Sequence, residues 1–354
     1  MKRLNNTVSI VVGILCGVLL LFDAAGACAR TRSEDTNNGP MMNVAYVASS
    51  GKEIPDPSLM THIIYSDATI KDDLRGIEIK NPEYFTKILN LRNQNPGLKV
   101  SLSIVDNGKG GMSRMCADKK LRKEFVKSVK QAVGQYNLDG IDFDWEFPTV
   151  NSGTSIGMPE DGINYAKLAK EMRKALGKKK MLTVYSNNSA LWIDFPLMLP
   201  YLDYVMASGY NIGLPPNHQS NLYNSSRFDG WSISKSIERH HAYGVPYNKL
   251  LIGIPFYARN VEMMLRSGSP FTYLDRWKWP DYFSEFTMEW DDEAQAPYYV
   301  DKTGKVVATF DTPRSIAAKA EFARSKGLAG GFYWHYGSED STHTMAKAMH
   351  ENFR

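Results

Sequence analysis

The sequence predicts an α/β fold, a closed (β/α)8 barrel with a small α+β insertion between its seventh and eighth strands. Three observations lead there. From residue 42 onward, eight short apolar runs alternate with segments of helical periodicity, the pattern of repeated βα units. One of those runs, "LDGIDFDWEFP" at residues 138–148, sets Asp142, Asp144 and Glu146 two apart. In a strand they share one face, opposite Ile141, Phe143, Trp145 and Phe147, which requires apolar cover on one side and a polar interior on the other. A chain of 354 residues, 43% of them hydrophobic, fills one core of that size, and eight closed βα units make a TIM barrel whose site lies at the C-terminal strand ends.

In chain order the strands are expected in "MNVAYVA", "MTHIIYSDA", "LKVSLSIV", "LDGIDFDWEF", "MLTVYSN", "LDYVMASGY", "KLLIGIPFYA" and "LAGGFYWHY". Helices are expected over residues 118–136, 160–177 and 312–326. The last opens "TPRSIAAKAEFARSKG", with Thr312 as cap, Pro313 in the first turn and Gly327 at the stop. Between "FYARN" and "DTPRS" lies "MEWDDEAQAPYYVDKTGKVVATF", where aromatic and β-branched runs flank "DKTGK". This marks an antiparallel insertion over one rim, at about residues 260–310.

Residues 1–27 read as a signal peptide: Lys2 and Arg3 precede "VSIVVGILCGVLLLF", which is short for a membrane span, and "AGA" offers small residues before Cys28. "AGAC" resembles a bacterial lipobox, in which Cys28 becomes the lipidated first residue, with Ala25 where a larger aliphatic residue is usual. Residues 28–41 read as a polar tether and 42–354 as the catalytic barrel. The protein is therefore expected to be exported, as an envelope lipoprotein or in secreted or periplasmic form, meeting a membrane only through Cys28. With Cys16 lost in the signal, Cys116 is left as an unpaired thiol. Net charge is +4, and the basic runs "KKLRKEFVKSVK" and "AKEMRKALGKKK" alternate with apolar residues at helical spacing. They read as solvated helix faces, which argues against a nucleic-acid partner. His240 and His241 fall in a helical segment, where packing or solvation is expected instead of ligation.

Adjacent same-face positions on a strand lie roughly 6.6 Å apart, so three acids in a row interact and cannot all ionise freely. Glu146 comes last, just before Pro148, and is expected at the barrel mouth. Repulsion from Asp144 is expected to keep it protonated, the state a general acid needs. Asp142 and Asp144 are expected to share a proton below it, a relay that cycles Glu146 between acid and base. A metal site is the chemical rival, but a straight strand spreads its carboxylates along its length instead of converging them on one ion. Neither a metal nor a cofactor is expected.

The motif resembles the DGxDxDxE signature of family 18 glycoside hydrolases, the chitinases and their relatives, matched by Asp139, Gly140, Asp142, Asp144 and Glu146. "VGQYNLDGIDFDWEFP", "LLIGIPFYAR" and "DTPRSIAAKAEFARSKGLAGGFYW" resemble chitinase segments in the same order, so the similarity spans the barrel. The resemblance implies substrate-assisted retaining hydrolysis, in which the sugar's own N-acetyl carbonyl attacks the anomeric carbon. Glu146 would protonate the glycosidic oxygen and Asp144 would hold the acetamido N–H. Tyr210, in "SGYN", matches the tyrosine that meets the acetamido oxygen; Trp334 matches the floor under the reacting sugar and Tyr46 an aromatic wall. Asn211 can still hydrogen-bond a sugar, and Tyr257 and Arg259 end strand seven beside the cleft, all three being substrate-contact candidates. The implied partner is chitin or an N-acetylglucosamine oligosaccharide, or an N-glycan, acted on by a monomer.

The chain also departs from the family pattern. "MxYD" is here "SGYN", with Ser208 for Met and Asn211 for Asp; "INYAFA" is "IIYSDA", with Asp67 at an aromatic position. "SIGGW" is replaced by "SIVDNGKGG", without the aromatic that stacks a sugar on the leaving-group side. These changes bear on substrate length and linkage. Two alternatives stay open. One is an endo-acting enzyme cutting the chitobiose core of N-glycans, against which the "DDEAQAPYY" insertion favours chitin oligomers. The other is a chitinase-like lectin, which typically lacks the terminal acid present here as Glu146.

Overall fold

The structure, a computed structural model, describes residues 40–152, 155–226, 230–262, 265 and 280–354. Eight parallel strands form the barrel: β1 Met42–Ala48, β2 His62–Ile70, β3 Lys99–Val105, β4 Gly140–Asp144, β5 Met181–Ser186, β6 Tyr204–Ala207, β7 Leu250–Pro255 and β8 Gly330–Trp334. Pairing of β1 with both β2 and β8 closes it, Val44 lying opposite His62 on one side and Phe332 on the other. A short antiparallel strand, Ile77–Ile79, is appended to β2.

Alternation sorts each strand between two layers. Ala45 and Val47 of β1 and Ile141 and Phe143 of β4 join the main core between barrel and helices. Val44, Tyr46, Ile64, Leu251 and Phe332 cluster in the barrel interior. The helices that cover the outer layer start and stop on local signals. Asp118 accepts from the backbone N–H of Lys120 and Leu121 to begin Lys119–Gln135, and Asp161–Leu176 ends at Gly177 with φ 73°. Thr312 and Ser315 form a reciprocal capping box ahead of Pro313–Ser325.

After β7, strands Arg259–Asn260, Val306–Thr309, Ala296–Val300 and Thr287–Asp291 pair in that order as an antiparallel sheet, the expected insertion. Its own small core is Phe283, Ala308 and Phe310, with Tyr282, Phe286 and Tyr299 against it. The described end of "YLDRWKWPDYFSEFTMEW" therefore packs the insertion; residues 266–279 lie outside the described residues. Cys116 is a buried unpaired thiol. His240 is buried between Ser236 O (2.7 Å) and Ser186 Oγ (2.9 Å), a packed role, as expected.

Three strands end three residues sooner than the sequence suggests. β4 stops at Asp144, β6 at Ala207 and β7 at Pro255, because the parallel ladders that hold them stop there: Val105 faces Asp144, and Ala207 faces Ile252. Glu146, Tyr210 and Tyr257 consequently stand on the loops just above the barrel instead of within its strands.

Candidate active site

The motif's first two residues are structural, at the lower end of β4. Asp139 accepts from Arg92 Nη2 at 2.7 Å and from the Val100 N–H at 2.9 Å, joining the starts of β3 and β4. Gly140 follows because a Cβ there would stand 2.5 Å from the Met181 carbonyl oxygen of β5.

Asp142 is fully buried inside the barrel. A carboxylate there is tolerable only when hydrogen-bonded. Three hydroxyls meet the need: Tyr46 Oη and Ser103 Oγ donate to Oδ2 at 2.9 and 3.1 Å, and Thr183 Oγ1 donates to Oδ1 at 2.6 Å. Ser103, Asp142 and Thr183 form a straight row across β3, β4 and β5, while Tyr46 reaches over from β1. Burial raises the Asp142 pKa, and the three hydroxyls offset part of that rise. With its oxygens so occupied, Asp142 makes no hydrogen bond to Asp144 among the described residues, so the expected shared proton is not seen.

Asp144 ends the strand with Oδ1 buried and unpartnered. Its pKa is raised well above the carboxylate range, first by burial and then by the negative neighbours Glu146, Asp142 and Asp67. Glu146 lies two residues beyond the strand. Crowding by the barrel mouth pushes its carboxyl up to about 7. Its side chain nevertheless opens outward to the cleft, so water still reaches it, and a sugar that expels that water would push it further in the same direction. The repulsion expected to act on Glu146 thus falls on Asp144, and the two carboxyls titrate as a pair.

The loop carrying Glu146 is held by Asp161, a residue the sequence did not single out. Its buried carboxylate accepts from Ser113 Oγ at 2.7 Å, from the Thr149 N–H at 3.1 Å and from the Met158 N–H at 2.7 Å. Phe147 leaves the apolar row and packs on Trp192, ring centroids 4.7 Å apart. Thr183 and Ser103 were also missed; the available signal was a hydroxyl at inward positions of otherwise apolar strands.

Around the acids the aromatic residues divide by exposure. Trp334 is partly exposed, 5.8 Å from the ring of Tyr46. Tyr46 is only 2% exposed and meets the site through Asp142. Tyr210 packs edge-on to Phe332 and Tyr257 at 6.1 and 6.3 Å, and burial raises its hydroxyl pKa well above the usual value. Tyr257 and Arg259, 1% and 2% exposed, stand behind this layer: Tyr257 Oη donates to Asn211 Oδ1 at 2.9 Å and Arg259 Nη1 to the Gly213 carbonyl at 3.2 Å. Asp67 sits at the mouth, taking a 2.8 Å bond from Ser49 Oγ. Among the described residues no group of three or more His, Cys, Asp or Glu side chains is arranged to hold a metal. A groove of about 550 Å³ is lined by Leu191, Trp192, Pro196 and Tyr243 among others; its carboxylate, Asp194, caps a short helix.

A carboxyl held up near neutral pH at the C-terminal mouth of a (β/α)8 barrel, beside a second buried acid and an aromatic wall, is equipped for general acid–base catalysis. Residues 42–339 match the model of glycosyl hydrolases family 18, and the chain belongs to that family. It is 29% identical over 380 residues to Probable chitinase 2 of Drosophila melanogaster, covering 91% of this chain and 78% of that protein. It is 27% identical over 296 residues to Chitinase A1 of Niallia circulans, covering 69% of this chain and 41% of that protein. Among solved structures, a family 18 N-acetylglucosaminidase from Paenibacillus barengoltzii matches with a TM-score of 0.75 at 26% identity, covering 88% of this chain and 99% of that one.

Proposed function

We propose that this enzyme hydrolyses β-1,4-linked N-acetylglucosamine polymers or oligomers, with the substrate's acetamide as nucleophile. The observation that carries the reading is the pairing of Glu146, pushed up to about 7, with Asp144, whose buried Oδ1 has no protein partner. A buried unpartnered acceptor beside a proton donor suits a ligand N–H. Glu146 gives its proton to the glycosidic oxygen as the C1–O bond breaks. The acetamido oxygen attacks C1 from the opposite face, and Asp144 accepts the acetamido N–H through its unpartnered Oδ1. Tyr210 Oη meets the acetamido oxygen and Trp334 floors the sugar. Glu146, now a carboxylate, takes a proton from the water that opens the ring, which restores the acid and retains the anomeric configuration.

Trp334, partly exposed beside Tyr46, and the insertion sheet beyond β7 favour an extended oligosaccharide over an N-glycan core, and Glu146 itself disfavours a lectin. We also propose export through residues 1–27 and lipidation at Cys28, which lie outside the described residues; among those described, no helix is long and apolar enough to cross a membrane. The decisive experiment profiles products from chitin oligomers, from a high-mannose glycoprotein, and from a β-1,4 oligomer lacking the 2-acetamido group. Cleavage of the first alone is expected. Efficient cleavage of the third removes the substrate-assisted step.

A further inference from the structure

We infer that Gln219 is a positioning residue for this reaction, tying the insertion to the tyrosine that meets the acetamide; the inference rests on the proposed role of Tyr210. Gln219 lies in the long loop after β6 and is 0% exposed. Its Nε2 donates to two carbonyls, that of Tyr257 at 3.0 Å and that of Thr309 at 3.1 Å. Because both neighbours are acceptors, the amide orientation is settled: the nitrogen faces them and both of its protons are used. Tyr257 follows β7, and Thr309 closes the insertion sheet, facing Arg259 across the ladder. One side chain therefore joins three elements.

The same loop returns to the site. The Ile212 N–H donates to the Gln219 carbonyl at 3.0 Å, closing a tight loop whose other end is Tyr210–Asn211. Asn211 has φ 55°, the left-handed region that asparagine enters more readily than other L-residues, which suits this side chain to the bend after Tyr210. The 2.9 Å bond from Tyr257 Oη to Asn211 Oδ1 ties that bend to the chain after β7. Gln219 holds the Tyr257 backbone, Tyr257 holds Asn211, and Asn211 is covalently next to Tyr210. On the other side of Tyr210, a Cβ at Gly209 would lie 2.2 Å from the Gly253 carbonyl, so the chain cannot yield toward β7. Loss of the Gln219 donors removes a buried hydrogen bond from each of the two carbonyls, and relaxation of the Tyr257 backbone carries Asn211 and the neighbouring Tyr210 hydroxyl with it. A displacement of that kind lowers the chemical rate more than it lowers binding.

The test is a double-mutant cycle on the full chain between Gln219→Leu and Tyr210→Phe, read as kcat and KM on a soluble N-acetylglucosamine oligomer. Gln219→Leu is expected to lower kcat about tenfold or more with KM changed less than about threefold. In the Tyr210→Phe background the same change should cost less than about twofold, because the hydroxyl it positions is gone. Full additivity of the two losses overturns the inference, as does an unchanged kcat in a folded Gln219→Leu. Should Gln219→Leu fail to fold, Gln219→Asn, which keeps the amide on a shorter arm, replaces it in the cycle under the same criteria. If Tyr210→Phe alone leaves kcat unchanged, the proposed role of Tyr210 fails instead, and the two failures are told apart.

Discussion

The proposed general acid must be protonated to act, so the titration of Glu146 should set the alkaline limit of the enzyme. With its carboxyl pushed up to about 7, about nine-tenths of the enzyme holds the proton at pH 6 and about one-tenth at pH 8. At the ordinary value of 4.5 only about 3% would hold it at pH 6, so the crowded mouth increases the active form roughly thirtyfold there. Activity should thus be present below pH 7 and fall roughly tenfold between pH 6 and pH 8. Because Glu146 and Asp144 exchange a charge interaction, the limb reports the pair. Asp144→Asn should leave the limb near pH 7, because the Asp144 carboxyl is itself held protonated where Glu146 titrates, while the rate falls because the acetamide loses its partner. The assay is kcat/KM on a soluble N-acetylglucosamine oligomer across pH at constant ionic strength. Glu146→Gln should cost roughly 10²–10⁴-fold, abolish the limb and leave oligosaccharide binding intact. A flat profile between pH 6 and 8, or the same limb in Glu146→Gln, would refute the assignment.

Thr183→Val removes the 2.6 Å donor to buried Asp142 and should destabilise the fold by about 1–3 kcal/mol, measured by denaturant titration; no loss would mean that the hydroxyl cradle does not support that carboxyl. Glu339 is buried and pushed up to about 7, although it accepts from the N–H groups of Asp340, Met345 and Ala346. A raised carboxyl stabilises the fold below its unfolded value and loses that contribution as pH rises through about 7. Wild-type stability should therefore decline from pH 5 to pH 8 by up to about 3 kcal/mol more than that of Glu339→Gln, and parallel curves would count against the shift. Cys28→Ser should move the protein from the membrane to the soluble fraction, and equal membrane association of the two forms would sink the anchor.

Local pattern alone determined much of this protein. Short apolar runs alternating with helical segments located all eight barrel strands, and cap chemistry at Thr312 located a helix start to within a residue. The acid spacing in "LDGIDFDWEFP" identified Glu146 and Asp144, because charge on the inner face of an apolar strand is too costly to be idle. Where each strand would stop was not legible, since a parallel ladder ends when its neighbours diverge and those neighbours are distant in sequence. For the same reason tertiary structure alone decided that Glu146 stands above the strand, that Asp142 is engaged by Tyr46, Ser103 and Thr183 instead of by Asp144, and that Tyr257 and Arg259 brace a loop from behind. Gln219 and Asp161 carried no local signal at all. A buried amide or carboxylate acquires its meaning from backbone groups that the fold brings to it from other loops, and a one-dimensional pattern does not contain those distances.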